Sequence, residues 1–290
     1  MTPSTSHFPR LPGAAAALPA VPSTLLIPLA ARALGDALFP AVAVGDAQAA
    51  RLLAALGDDG SRWLQDRASV YGVLARTRYL RTLAQRFLQA HPGAQVVNLG
   101  CGLSDYGQWL DDGCMRLTDA DLPVVVALRR RLLPTPTGRH ELREIDLSEP
   151  GWWDALALPG QAARQPLFLF CEGVLMYLAP AQVQQVLHTF GERAPAGSLL
   201  VFDALCWLTK GRAALHASVG RTAAQFAWGP RRLAELTAPH PRLQLIGQQS
   251  VMSGYGWPFA VTEQMFEAFW GVPFYALYVL CADGRGVTGG

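Results

Sequence analysis

Lysine is almost missing from this sequence. Lys210 is the single lysine in 290 residues, and 24 basic against 22 acidic side chains leave a formal net charge of +2. Without a basic excess the chain carries no electrostatic advertisement for nucleic acid, and no nucleic-acid partner is expected. No apolar run reaches the length of a membrane span, so no membrane partner is expected either. Cysteine is scarce and scattered. The five, Cys101, Cys114, Cys171, Cys206 and Cys281, form no Cys-x-x-Cys pair and have no histidine at metal spacing, which predicts no metal site. Their odd number suits a reducing cytoplasm. Two nucleotide signatures are also absent: the third glycine of the dinucleotide fingerprint and the Gly-x-x-x-x-Gly-Lys-Ser/Thr phosphate loop. A nicotinamide-dependent oxidoreductase and a triphosphate-cleaving enzyme are disfavoured accordingly.

What is present centres on Gln95 to Asp121. Val96, Val97 and Leu99 form a short apolar run typical of a buried parallel strand, which stops at Gly100-Cys101-Gly102. Glycines there allow unusual dihedrals and close approach of a ligand, and a helix is expected to follow. Some twenty residues on, Asp119 and Asp121 close a second strand, where a nucleotide-binding fold places the acid that grips ribose. Lacking a pyrophosphate motif, this pattern points to an adenosine ligand with an amino-acid tail, and S-adenosylmethionine is the candidate. Cys101 and Cys171 fall at strand ends near this site, where small buried cysteines are the commoner explanation.

Around this centre the chain divides into three. Residues 1–23, rich in Pro, Ala, Ser and Thr, are expected to form a disordered tail. Residues 24–92 show helix-period apolar faces, including Leu25, Leu26, Leu29 and Ala33, and form a helical cap in which Arg67, Arg76 and Arg78 are candidate carboxylate binders. Residues 93–290 alternate strands and helices. Strands are expected over Glu141 to Ile145, Pro166 to Cys171 and Ser198 to Asp203, and helices from Leu122 to Leu133 and Pro180 to Arg193. The triplet Arg129-Arg130-Arg131 is expected as the solvated end of its helix. Such alternation demands a mostly parallel, Rossmann-like α/β sheet that binds its ligand beyond the strands' carboxyl ends, where Asp121, Asp146, Glu172 and Asp203 all fall. Later, a helix is expected over Pro230 to Leu236, strands over Leu243 to Gln249 and Phe274 to Ala282, and between them a helix from Thr262 to Trp270. The two late strands are expected to pair antiparallel at one sheet edge.

Several of these stretches together resemble the leucine carboxyl methyltransferase family, and within it the bacterial polyketide O-methyltransferases. The likeness rests on Thr24-Leu25-Leu26-Ile27-Pro28-Leu29, the segment Gln95 to Leu103, Thr118 to Pro123, Asp146-Leu147 before Trp152-Trp153, and above all Glu172-Gly173-Val174-Leu175-Met176-Tyr177-Leu178. It implies a class I methyltransferase fold whose last strand is antiparallel, S-adenosylmethionine as cofactor, and a small-molecule acceptor. By the same resemblance Arg76 would bind the methionine carboxylate, with Arg78 as fallback. Gly100, Cys101 and Gly102 would pass under the cofactor, Asp121 with Asp119 would take the ribose, and Asp146 with Leu147 would frame the adenine. Glu172 would sit at the methionine end. The family has Asp-Thr-Arg after its glycine motif where this chain has Ser104-Asp105-Tyr106, so Asp105 is the candidate replacement acid.

A carboxylic acid acceptor is already ionised at neutral pH and needs no general base, whereas a phenol does. No histidine falls in a motif, and of the others His216 is the least constrained. Methyl esterification of a carboxylate in a specialised metabolite is therefore expected, with Tyr177 as the hydroxyl that orients the acceptor and Trp207, Phe226, Trp228, Tyr255, Trp257 and Phe259 as candidate pocket walls. The competing readings are a cofactor-binding protein without transferase activity and a methyltransferase of protein carboxyl termini.

Overall fold

The computed structural model describes residues 22–283, so the expected tail falls almost wholly outside the described residues. Four helices precede the sheet: α1 (Leu26–Leu34), α2 (Ala49–Leu56), the short α3 (Ser61–Leu64) and α4 (Arg67–Ala90). The long α4 starts at Asp66, whose side chain accepts a hydrogen bond from the Ser69 amide and so satisfies a free N–H of the first turn.

The chain then alternates through β1 (Gln95–Leu99), α5 (Gly107–Leu110), β2 (Arg116–Asp121), α6 (Pro123–Leu132), β3 (His140–Glu144), α7 (Trp152–Ala155), β4 (Leu167–Cys171), α8 (Pro180–Arg193) and β5 (Leu199–Leu205). It closes with β6 (Leu243–Ser250), α9 (Phe259–Trp270) and β7 (Tyr275–Ala282). These strands make one sheet in the order β3-β2-β1-β4-β5-β7-β6. The first five are parallel, and β7 runs antiparallel to both β5 and β6. The late strands therefore pair as expected, with β7 inserted between its neighbours.

Strand alternation sorts the core onto the two faces. Val97, Leu99, Leu169 and Phe202 point to one side, where Val183, Val186, Leu187 and Phe190 of α8 cover them with Trp152 and Trp153. Val96, Phe168, Phe170 and Val201 point to the other, under Leu80, Ala84 and Phe87 of α4. Each such fully buried side chain is worth about 1.5–3 kcal/mol, which locks the register that brings the strand ends into line.

Two expected helices are shorter in the structure. After the glycine turn only one helical turn forms, Gly107–Leu110. Between Pro230 and Leu236 there is only a 3-10 turn, Leu233–Leu236. In the second case the chain enters through Gly229, which packs so closely on the end of β5 that a Cβ there would collide with the Leu205 carbonyl oxygen. No helix among the described residues is long and apolar enough to cross a membrane.

Candidate active site

The carboxyl ends of β1, β2, β4 and β5 open onto a cavity of about 740 Å³, roofed by α1, α4 and α9. Its floor is the glycine turn. Gly100 has φ +73° and a Cβ on it would collide with the Val174 side chain, while Gly102 has φ +51° and a Cβ there would lie 2.7 Å from Leu25 Cδ2. Both positions thus favour glycine for conformation, and Gly100 requires it for space as well. The turn is pinned from the next strand: Asp121 accepts from the Gly102 amide and from the Leu122 amide, each at 2.7 Å. Asp121 lines the cavity, and burial pushes its carboxyl above the ordinary value.

A second group of polar side chains stands at the ends of β4 and β5. Arg76 of α4 donates through Nε to Glu172 (3.0 Å) and through Nη1 to Asp203 (3.0 Å) and to the Tyr275 hydroxyl (2.8 Å). Tyr275 in turn donates to Asp203 at 2.7 Å. Glu172 also accepts from Thr77 Oγ1 and from the Tyr106 hydroxyl, each at 2.7 Å. Burial alone would raise the Glu172 carboxyl, but Arg76, Arg32 and these hydrogen bonds outweigh it and hold it below the usual range. The Arg76 fork lies flat over Gly173 (φ +70°), where a Cβ would sit 2.9 Å from Nη2. That contact gives the glycine of the Glu-Gly-Val motif a packing reason.

The expected site residues separate accordingly. Arg76, Gly100, Cys101, Gly102, Asp121, Asp146, Leu147, Glu172 and Tyr177 all line the cavity. Asp119 and Asp105 do not. Asp119 lies one residue pair deeper in β2, fully buried, and accepts from Arg129 Nη2 (2.7 Å) and Asn98 Nδ2 (2.9 Å), with His140 Nε2 at 2.9 Å. Arg129 ties this cluster to the back of the turn by donating to the Gly102 and Ser104 carbonyls. Arg129 is therefore no solvated helix end, although Arg130 beside it is exposed. Asp105 faces the same rear cluster, and burial with neighbouring Asp119 raises its carboxyl. It replaces no acid of the cavity.

The unusual Ser104-Asp105-Tyr106 segment is instead absorbed by new bonds, Ser104 Oγ to the Cys101 carbonyl (2.7 Å) and Tyr106 to Glu172. Arg78 is exposed and donates to the Ala43 carbonyl, so the fallback position lies away from the cavity, and Arg67 sits over the Phe39 ring. Cys101 and Cys171 are buried thiols whose pKa burial raises, which makes them poor nucleophiles.

Beyond the glycine floor the cavity widens into an apolar lobe walled by Phe226, Met252, Phe259, Phe266 and Phe274. Of the aromatic residues expected there only Phe226 and Phe259 line it. Trp228 joins the sheet core, Tyr255 packs on Tyr71, Trp207 packs on Phe266 and Trp270 behind the wall, and Trp257 is exposed. Arg32, Tyr275, Glu263, Phe266 and Phe274 line the cavity without having been singled out, because each arrives from a segment remote in sequence. Tyr177 stacks on Phe226 (5.7 Å between centroids), and burial pushes its hydroxyl up to about 12.

His216 faces the lobe beside Ser69 and Asp66. Its Nδ1 accepts from the Val219 amide (3.3 Å), and its Nε2 lies 3.4 Å from Ser69 Oγ. Ser69 Oγ spends its proton on Asp66 (2.6 Å), as does Ser218 (2.8 Å). The ring proton therefore sits on Nε2, and burial lowers the imidazole's pKa from its ordinary value.

A sheet of this order, with an antiparallel seventh strand and a glycine turn opposite a strand-end acid, defines the class I Rossmann-like methyltransferases. The chain belongs to the leucine carboxyl methyltransferase family, whose model matches residues 17–191. It is 31% identical over 255 residues, 88% of this chain and 90% of the relative, to the tetracenomycin polyketide synthesis O-methyltransferase TcmP of Streptomyces glaucescens. It is also 31% identical over 142 residues, 47% of this chain and 48% of the other, to a Frankia alni protein described as an S-adenosyl-L-methionine-dependent methyltransferase. A crystal structure from Thermobifida fusca described as a methyltransferase superposes with a TM-score of 0.51 over 80% of this chain and 92% of that one, at 18% identity, and bears on the fold alone. The chain is an S-adenosylmethionine-dependent methyltransferase.

The site fits that cofactor: the floor bears no side chain where Gly100 and Gly102 pass, an acid stands at the rim, and a guanidinium held between carboxylates lines the cavity.

Proposed function

We propose that this chain transfers a methyl group to a carboxylate oxygen of a small aromatic or polyketide-like acid, giving a methyl ester. When bound, S-adenosylmethionine supplies an electrophilic methyl on a positively charged sulfur. Arg76 then holds the methionine carboxylate, Glu172 accepts from the amino group, Asp121 takes the ribose hydroxyls, and Asp146 with Leu147 frames the adenine. Gly100, Cys101 and Gly102 form the surface beneath. What remains for the chain is alignment in a water-poor pocket, and positioning of that kind can remove roughly 7–11 kcal/mol of barrier.

The observation that carries the choice of carboxylate is the state of His216. Its one lone pair is committed to the Val219 amide, and its other nitrogen is a donor. With Nδ1 taken by the Val219 amide and the Nε2 proton directed at Ser69 Oγ, the ring offers the lobe no base. Burial keeps Tyr177 a neutral phenol at pH 7. An acceptor that is already an anion needs no proton removed, whereas a phenol with a pKa near 10 would find no base. The apolar lobe suits a flat, greasy body.

The test is a transfer assay with methyl-labelled cofactor on matched aromatic acids and phenols. The expected product is an ester that releases labelled methanol in alkali. Label appearing only as an alkali-stable ether would sink the carboxylate assignment. Transfer to peptide carboxyl termini in preference to the small acids would favour a protein acceptor.

A further inference from the structure

Helix α9 has its polarity reversed. Of its twelve residues the only buried one is a carboxylic acid, Glu263. Its outer ridge is apolar: Val261 is 47% exposed, Met265 53% and Phe269 75%, and Trp257, four residues before Val261, is 85% exposed. The three helical residues are spaced four apart and so form one continuous stripe, with Trp257 exposed just ahead of the helix. Trp270 and Phe274 extend it through the Phe266 ring, with centroids 4.8 and 5.6 Å away. Together these residues expose on the order of 600–700 Å² of mostly apolar surface, at or above the roughly 300–600 Å² of the largest patch on a typical monomer and most of one side of a standard interface.

We propose that a second copy of this chain covers the stripe, with α9 packed against α9 across a two-fold axis. Charge decides between occupants. From Leu243 to Ala282 there is no lysine or arginine, and the two acids of α9 are drawn inward. Glu263 accepts from the Tyr275 amide (3.3 Å), and Glu267 accepts from Gln248 (2.6 Å). The ridge itself carries no cation for an anionic membrane or an acidic protein, the exposed Lys210 following at the end of the Trp207 turn that packs on Trp270. An identical uncharged ridge is self-complementary, and rows at i and i+4 interdigitate in the commonest helix-pair geometry. The inner side of the same helix carries Phe259, Thr262 and Phe266 into the cavity wall, so the interface stiffens the roof of the acceptor lobe.

Sedimentation velocity of the full chain from sub-micromolar to tens of micromolar tests this. The expected species is twice the 31.3 kDa chain mass. Met265→Glu and Phe269→Glu should each weaken dimerisation a hundredfold or more, and the milder Phe269→Ala less. Unchanged far-ultraviolet circular dichroism would show that the variants still fold. A wild-type monomer throughout the range, a dimer indifferent to all three substitutions, or a monomer that floats with phosphatidylcholine vesicles would overturn the proposal.

Discussion

Two buried arginines flank the glycine turn, and they serve opposite ends. Arg129 lies behind it, paired with Asp119 and capping the Gly102 and Ser104 carbonyls, with no face on the cavity. Arg76 lies in front, paired with Glu172 and Asp203 and open to the cavity through its fork. Chemically the two clusters are alike: a guanidinium, carboxylates and a ring with a polar tip, taken out of water. What separates them is depth: the Arg129 cluster lies beneath the turn, whereas the Arg76 cluster stands at the ends of β4 and β5. Asp119 and Asp121 show the same contrast within β2, where both share a face but only Asp121 reaches the cavity rim.

Substitutions should separate the clusters by observable. The largest effect is expected from Asp119→Ala, which leaves Arg129 buried without its partner. Breaking a buried pair in this way costs roughly 3–5 kcal/mol, read as a fall in the urea midpoint. A loss below about 1 kcal/mol, the median worth of an exposed pair, would break the contrast. Asp121→Ala frees the Gly102 and Leu122 amides, so it should cost less stability than Asp119→Ala, about 1–3 kcal/mol, while lowering affinity for S-adenosylhomocysteine by calorimetry.

Next comes Arg76→Ala, expected to weaken cofactor binding about a hundredfold, or about 2.7 kcal/mol, within the range for hydrogen bonds to charged groups plus desolvation. Arg76→Lys should recover only part, since a point charge cannot serve Glu172, Asp203 and Tyr275 together. Tyr275→Phe removes one hydroxyl from the fork's support, at about 0.5–1.5 kcal/mol. It should raise the KM for the cofactor several-fold with kcat nearly unchanged, and an unaltered KM would show that Asp203 holds Arg76 alone.

The smallest effect joins the two clusters. Burial tends to raise Asp119 and Glu172, but their arginines prevail and hold both below the ordinary values of 3.8 and 4.5. An acid whose folded pKa is depressed contributes stability that is complete above its unfolded value and is lost as pH falls through the folded one. The thermal midpoint of the cofactor-free chain should therefore hold steady from about pH 7 to 5 and fall below about 4. Asp121, pushed up by burial, opposes this by taking its proton first in the folded state, and so offsets part of the loss.

These clusters also mark how far the sequence could be read. Apolar runs ending in glycine or acid located the strands to within a residue or two, because burial on both faces of a parallel sheet leaves little else for such runs to do. Arg76, Asp121 and Glu172, singled out from the sequence, line the cavity. The sequence could not tell Asp119 from Asp121, because the strand period of two gives both the same face and says nothing about depth. Asp105 was misplaced because the turn after Gly102 folds back on Cys101 and Asp119 before its one helical turn begins. Tyr275, Arg32 and Phe266 were invisible, since only the three-dimensional return of distant segments brings them to Arg76 and the lobe. The aromatic residues near α9 misled for another reason: their helix points its apolar stripe outward, against the usual rule.

The order of β5, β7 and β6 has a bearing on biosynthesis. Among the described strands the interior β7 is made after both of its neighbours, so β5 and β6 wait with facing edges unpaired. Until Tyr275 emerges, Arg76 also lacks one of the acceptors that fix its fork. The nascent chain therefore cannot complete its cofactor site ahead of its sheet, and the open edges are its period of greatest exposure to aggregation and proteolysis. A premature stop anywhere ahead of Tyr275 costs both at once.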